Sequence, residues 1–245
     1  MKAMDGKKAV LQRLKAEIMA LEKFPMPKSA QQASLGLGPM EASFTGNNFP
    51  VGVVHELISR DSIDAVSTNG FIAALLGKLM RKKDYCLWIS NQRTIFPPGL
   101  STFGVRPDRF IFIDIKKESD VLWAVEQGLK CSGLAAVIGE LKDITFAQSQ
   151  RLQLAVEKSR VTGFLHRYQP RSEHALACAT RWKISSLPSE SIEGLPGLGF
   201  PRWNVALIKV RNGRPGSWRM EWRDGGFHPV AVEDLLERAN DQHYA

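Results

Sequence analysis

The sequence predicts an α/β protein in which a mostly parallel central sheet, flanked by helices, ends in antiparallel C-terminal strands and is preceded by an N-terminal helical arm. Three observations carry this. Between residues 53 and 168, short apolar runs alternate with stretches of helical periodicity, the rhythm of βαβ units and parallel pairing. Beyond Pro170 the strand-like runs follow one another with no helix between them, so they should pair antiparallel at the sheet's end. Ahead of both lies an apolar stripe at helical spacing, set off by a segment rich in Gly, Pro, Ser and Gln.

Lys7 to Phe24 put Val10, Leu14, Ile18 and Leu21 on one helical face, with Lys15, Glu17 and Glu22 on others, and Pro25 and Pro27 stop this amphipathic helix. Residues 26–48 have no sustained periodicity and read as a linker. The expected organisation is therefore a helix and linker over 1–48, a core over 49–232 and a C-terminal tail over 233–245. Within the core, Val53 to Ile58 reads as a strand, Asn69 to Arg81 as a helix and Tyr85 to Ile89 as the next strand. Phe110 to Ile115 is a further strand. Ser119 to Lys130 is a helix carrying Val121, Leu122, Val125 and Leu129, and Leu134 to Ile138 is a strand with no polar alternation, hence buried on both faces.

Thr145 with Gln148 makes a capping box for a helix through Lys158, after which Gly163 to Tyr168 is a strand. Leu176 to Ile184, Trp203 to Val210 and Ser217 to Trp222 are the late strands. The Asn-Gly and Pro-Gly steps of Arg211-Asn212-Gly213-Arg214-Pro215-Gly216 join the last two as a hairpin. The Gly-rich run Gly194 to Phe200 follows no strand and opens no helix, so it is not a dinucleotide fingerprint.

A chain of 245 residues, 44% hydrophobic and 24% charged, can build a core and is not disordered in bulk. Its 33 Lys and Arg against 25 Asp and Glu leave a formal charge of +8, which favours anionic partners such as nucleic acid or acidic protein surfaces. Cys86, Cys131 and Cys178 are odd in number, far apart and in apolar sequence, so they read as reduced core thiols of a cytoplasmic protein. No apolar run approaches the roughly 18 residues of a membrane span, and no membrane partner is expected.

Catalytic signatures are missing from the sequence. His55 and Glu56 are adjacent on a strand and face opposite sides, no G-x-S-x-G occurs, and His166, His174, His228 and His243 lack metal-ligand spacing. The segment Phe49-Pro50-Val51-Gly52-Val53-Val54-His55-Glu56-Leu57 resembles the approach to the ATP-binding strand of bacterial RecA recombinases, where a Pro and a turn Gly precede an apolar strand containing Glu. After it the two diverge. A phosphate loop needs G-x-x-x-x-G-K-[ST] for its backbone N–H cradle, its Lys and its magnesium-holding hydroxyl. Here Ser59 to Gly70 has no Lys, one Gly at its end, and the carboxylates of Asp61 and Asp64. In the strand near Leu134 to Glu140 the position of the family's magnesium-supporting Asp falls near Gly139. No catalytic residue, cofactor or metal is expected.

The strand segment, Leu87-Trp88, the run Gly133 to Leu141 and the helix Arg151-Leu152-Gln153-Leu154-Ala155 together resemble the ImuA family of degenerate RecA-like proteins. That resemblance implies a RecA-like core with a degenerate P-loop. It also implies an accessory role in damage-induced, SOS-type mutagenesis and translesion synthesis, with an ImuB-like protein and an error-prone C-family DNA polymerase as partners. The stripe Val10, Leu14, Ile18 and Leu21 either packs on the protein's own core or, by analogy with the arm that joins protomers in RecA filaments, docks on another RecA-like surface or on the ImuB-like partner; RecA itself and self-association are further partners the resemblance implies.

Two DNA-contact regions are candidates. Arg167 and Arg171, with His174, flank the loop after the Gly163 strand, where RecA proteins carry a longer DNA-gripping loop. Arg211, Arg214 and Arg219, with Lys209 and Arg223, lie among Trp203, Trp218 and Trp222, which serve either as stacking surfaces or as core. Two other classes stay open: a RecA-like ATPase with an unusual nucleotide loop, and a cell-division inhibitor like the SulA family, which shares a cut-down RecA-like fold without a working P-loop.

Overall fold

The computed structural model describes residues 34–80, 84–92, 95–189 and 199–230. The expected arm helix with Val10, Leu14, Ile18 and Leu21, and the C-terminal tail, lie outside the described residues. Nine strands form one sheet in the order β3-β2-β4-β5-β1-β6-β7-β8-β9. They are β1 Val54–Ser59, β2 Cys86–Ser90, β3 Phe110–Asp114, β4 Ala136–Leu141, β5 Thr162–Tyr168, β6 Thr180–Leu187, β7 Arg202–Val210, β8 Gly216–Arg223 and β9 Gly226–Pro229. Three α-helices accompany them: α1 Ser62–Leu79, α2 Glu118–Leu129 and α3 Phe146–Ser159.

β1 to β5 pair in parallel, as the alternation of strands and helices predicts. The expectation that every strand after Pro170 runs antiparallel is corrected at β6, which pairs parallel with β1 and antiparallel only with β7. Its crossover is the irregular segment 169–179 rather than a helix, with the Ala177 amide bonded to Ser149 Oγ of α3. β7 and β8 form the expected hairpin, and Asn212 in its turn takes the left-handed φ of 57° that Asn tolerates. β9 was not anticipated. The Asp224-Gly225 step that folds it back has φ of 53° and 68°, the paired positive values of a tight two-residue hairpin.

Side chains alternate across the sheet and bury two cores. One face holds α1 with Leu57, Trp88, Ile138, Phe164, Trp182 and Val205, and the other holds α2 and α3 with Val54, Ile89, Val137 and Leu165. β1 and β4 are buried along their whole length, as expected of parallel strands covered on both sides. α1 is itself covered on its outer side by the turn Pro97–Phe103. A Cβ at Gly77 would lie 2.1 Å from the Phe103 carbonyl oxygen, so only glycine admits this approach.

Residues 34–48 differ from the linker read in the sequence. Gly38–Ser43 and Thr45–Asn47 are 3₁₀ turns that drive Leu37, Met40 and Phe44 into the α1-side core, where Phe44 lies 5.5 Å from Phe49 and 6.0 Å from Trp182. The short, Gly- and Pro-broken apolar spacing hides this packing from a periodicity argument. Cys86 and Cys178 are buried thiols, which burial pushes up to about 12. Cys131 is exposed, contrary to the reading of all three as core residues.

Candidate functional site

The junction between β1 and α1 is where the RecA resemblance calls for a phosphate loop. Gly52 turns the chain into β1 with φ of 67°, and its missing Cβ would lie 3.2 Å from the Arg160 carbonyl oxygen. The stretch read as a loop over Ser59 to Gly70 is corrected. Only Arg60 and Asp61 separate strand from helix, because Asp61 caps α1 at once, its carboxylate accepting the Asp64 amide at 2.8 Å. The chain's own anion thus takes a donor that a phosphate would use at a helix N-terminus. Burial, together with the neighbouring Asp61 charge, pushes the Asp64 carboxyl above the usual carboxylate range. The first two turns of α1 also expose Ile63 (65%) and Val66 (67%), which offer nothing to a triphosphate.

Behind this junction the C-terminal end of β1 is closed by a buried polar network. Ser59 Oγ lies 2.8 Å from Thr68 Oγ1 and 2.8 Å from His166 Nε2, and His166 Nδ1 lies 2.9 Å from Asn69 Oδ1. The order hydroxyl, imidazole, amide resembles a nucleophile with its base. All three are buried, however, and burial pushes the His166 pKa down to about 4, so the network holds α1 on the sheet rather than meeting a substrate.

Packing closes the position to which the RecA resemblance assigns a magnesium-supporting Asp. A Cβ at Gly139 would meet Val125 Cγ2 of α2 at 2.5 Å, so no acidic side chain fits there. The next residue, Glu140, accepts the Trp88 indole N–H at 2.6 Å. Neither loop nor strand therefore fits a magnesium nucleotide.

His55 and Glu56 point to opposite faces, as predicted. His55 sits between the rings of Phe49 and Phe164, within 2.7 Å of Thr180 Oγ1 and 2.9 Å of the Pro50 carbonyl oxygen, and burial pushes its pKa down to about 3. Glu56 is the centre of a buried Arg-Glu-Arg group, with Arg167 Nη1 at 2.7 Å and Arg181 Nε at 2.6 Å. Arg167 is corrected as a DNA contact, since its side chain is 0% exposed. It donates instead to the Ser172 carbonyl, while Arg181 donates to the carbonyls of Glu173 and His174. These two guanidinium groups mould the crossover that carries Arg171, whose side chain is 84% exposed and lies 3.6 Å from Asp143.

The other sequence candidates do not converge with Arg171. Register places Val210 beside Thr180, which pairs with His55 at the start of β1, whereas Arg171 follows the far end of β5. Arg211 and Arg214, in the β7–β8 turn, therefore lie at the opposite edge of the sheet from Arg171. Arg219 lies between, on β8, on the face opposite α1. Trp203 and Trp222 are core, and Trp218 is half-buried against it, so the stacking role considered for them is replaced by the packing one. Arg60 and Lys183 were missed. For Lys183 the signal was the alternation of β6, where Arg181 and Lys183 share one face and Trp182 and Ile184 the other.

The structure thus defines a parallel α/β sheet protein with an antiparallel C-terminal extension, whose first strand passes into its helix through a self-capped junction. The chain belongs to the ImuA family: it is 31% identical over 208 residues to Protein ImuA of Caulobacter vibrioides, in strains NA1000 / CB15N and ATCC 19089 / CIP 103742 / CB 15 alike, covering 80% of this chain and 85% of that protein. It is also 24% identical over 118 residues to Cell division inhibitor SulA of Serratia marcescens, covering 48% of this chain and 69% of that protein. No family model matches the chain.

Proposed function

We propose that the chain is a non-catalytic, RecA-like accessory factor of damage-induced translesion synthesis. It would act through protein contacts with an ImuB-like partner, and with RecA or an error-prone C-family polymerase, and through weak DNA contact. Membership of the ImuA family supports the pathway. The non-catalytic reading rests on one observation, the Asp61 carboxylate capping α1 where a phosphate would sit. Titration calorimetry with magnesium ATP is expected to give no saturable heat. Saturable binding that is lost on substitution within residues 61–70 would overturn the reading and favour an ATPase. Co-purification with the ImuB-like protein is the direct test of the partner, and a chain that never retains it would sink that part.

The partial similarity to SulA supports a second reading, a division inhibitor. Filamentous growth on overexpression, with a direct effect on polymerisation of the division GTPase, would favour that reading; normal cell length would count against it.

A further inference from the structure

The sheet face opposite α1 is left uncovered by any described helix over β6, β7 and β8, and its charges follow a pattern. Four carboxylates are each shared by two cations. Glu56 holds Arg167 and Arg181, Asp143 holds Arg167 and Arg171, Glu173 holds Arg60 and Lys183 at 2.8 Å each, and Glu221 holds Arg202 at 2.5 Å and Arg223 at 3.5 Å. Arg167 is common to Glu56 and Asp143, so that linked group carries three cations against two carboxylates, and the Glu173 group carries two against one. Arg223 also lies 3.5 Å from Asp224, so its group is balanced, and the sharing fixes the direction of each head group. Arg219 adds a further cation on the same face, beside Asn204.

Register aligns these residues. Lys183 pairs with Ile58, so Arg60 stands level with Ser185, which pairs with Asn204, which in turn pairs with Arg219. Three interstrand steps of about 4.8 Å put Arg60 and Arg219 about 14 Å apart, with Lys183 one two-residue step, about 7 Å, below that line. Ser185 and Asn204 stand between them, with Ala206 and Ser217 level with Lys183, so the described strand residues raise no large side chain between these cations.

We propose that Arg60, Arg171, Lys183, Arg219 and Arg223 form a track for the phosphate backbone of nucleic acid, read without regard to base sequence. The side chains of Trp182, Trp203 and Trp222 point into the core on the other face, so these rings offer the track no stacking surface of the kind single-strand binders use. Backbone neutralisation remains as the source of affinity. An acidic protein segment is the competing ligand class, and the proposed DNA contact favours the phosphate backbone over it.

This deepens the proposed DNA contact and rests on it. The test is fluorescence anisotropy of the full chain with a mixed-sequence duplex and with oligo-dT, at several salt concentrations. Arg219→Gln and Arg223→Gln are expected to weaken binding to both probes several-fold and to lower the magnitude of the log–log salt slope, per residue removed, by about 0.9 for the duplex and about 0.7 for oligo-dT. Arg211→Gln and Arg214→Gln, at the opposite edge, are expected to leave both quantities unchanged, and urea midpoints confirm that each variant is folded. Equal losses at both edges, no loss at Arg219 and Arg223, or displacement of DNA by polyglutamate at matched charge would overturn the track. A chain that retains its ImuB-like partner but binds neither probe would also overturn it, leaving the accessory-factor reading in place.

Discussion

His55 and His166 are buried neutral imidazoles whose folded pKa values, about 3 and about 4, lie below the ordinary 6.5. Between pH 6.5 and 4 the unfolded chain therefore binds protons that the folded chain does not. The stability they contribute is complete above pH 6.5 and is lost as pH falls through that window. Two such groups give a slope approaching about 2.7 kcal/mol per pH unit near pH 5. Urea unfolding at pH 7, 6 and 5 should show it, and His166→Gln should remove about half; an unchanged slope would mean that His166 titrates normally in the folded chain. Gly139 gives the second residue-scale prediction. Gly139→Asp should be poorly soluble with a sharply lowered melting temperature, and Val125→Ala in the same chain should recover part of it by clearing the Cγ2 at 2.5 Å. The glycine was legible in the sequence as a departure from an acidic position, whereas its cause, a helix packed against it, was not.

At the scale of elements, the parallel strands and the Thr145–Gln148 capping box were legible because each depends on local chemistry, apolar runs in one case and two side chains in one turn in the other. The start of α1 was not. Ser62, Asp64, Ser67, Thr68 and Asn69 are weak helix formers and suggested a loop, but the cap at Asp61 and burial of Ala65, Thr68 and Asn69 against the sheet override propensity. Asp61→Ala should cost about 1 kcal/mol of stability, and Asp61→Asn much less, since the amide oxygen still accepts the Asp64 N–H. Comparing urea midpoints checks this, and equal losses for both would point to charge rather than capping. Of the candidate site, Arg171 is exposed and Arg219 half-buried, while Arg167 is buried. A period-2 strand reading cannot tell an outward arginine from one drawn inward by a carboxylate on a neighbouring strand.

For the whole molecule, the boundary between arm and core falls near Ser34, since contacts divide the chain into units at Ala33 and Ser34. Leu37, Met40 and Phe44 each bury a side chain worth about 1.5–3 kcal/mol in the α1-side core. A chain starting at Ser34 should therefore fold cooperatively, and one starting at Phe49 should be insoluble or unfold at markedly lower urea. Equal midpoints would return residues 34–48 to the status of a linker. Deleting residues 1–30 should weaken retention of the ImuB-like partner without lowering the core's midpoint, and undiminished retention would remove the apolar stripe from the interface.

The Arg167–Glu56–Arg181 group joins three strands that are distant in sequence, and this makes it a register check. A slip of β6 by one residue would turn Arg181 to the α1 side and set Trp182 on the face of Glu56. Glu56 would then keep one partner, and the carbonyls of Glu173 and His174 would lose their donors, so the crossover could not take its shape. The same slip would take Trp182 out of the α1-side core, so the apolar face of β6 and the charged group on its other face reject it together. The shape of the crossover is thereby tied to the register of β6 on β1, through the carbonyls that Arg167 and Arg181 bind.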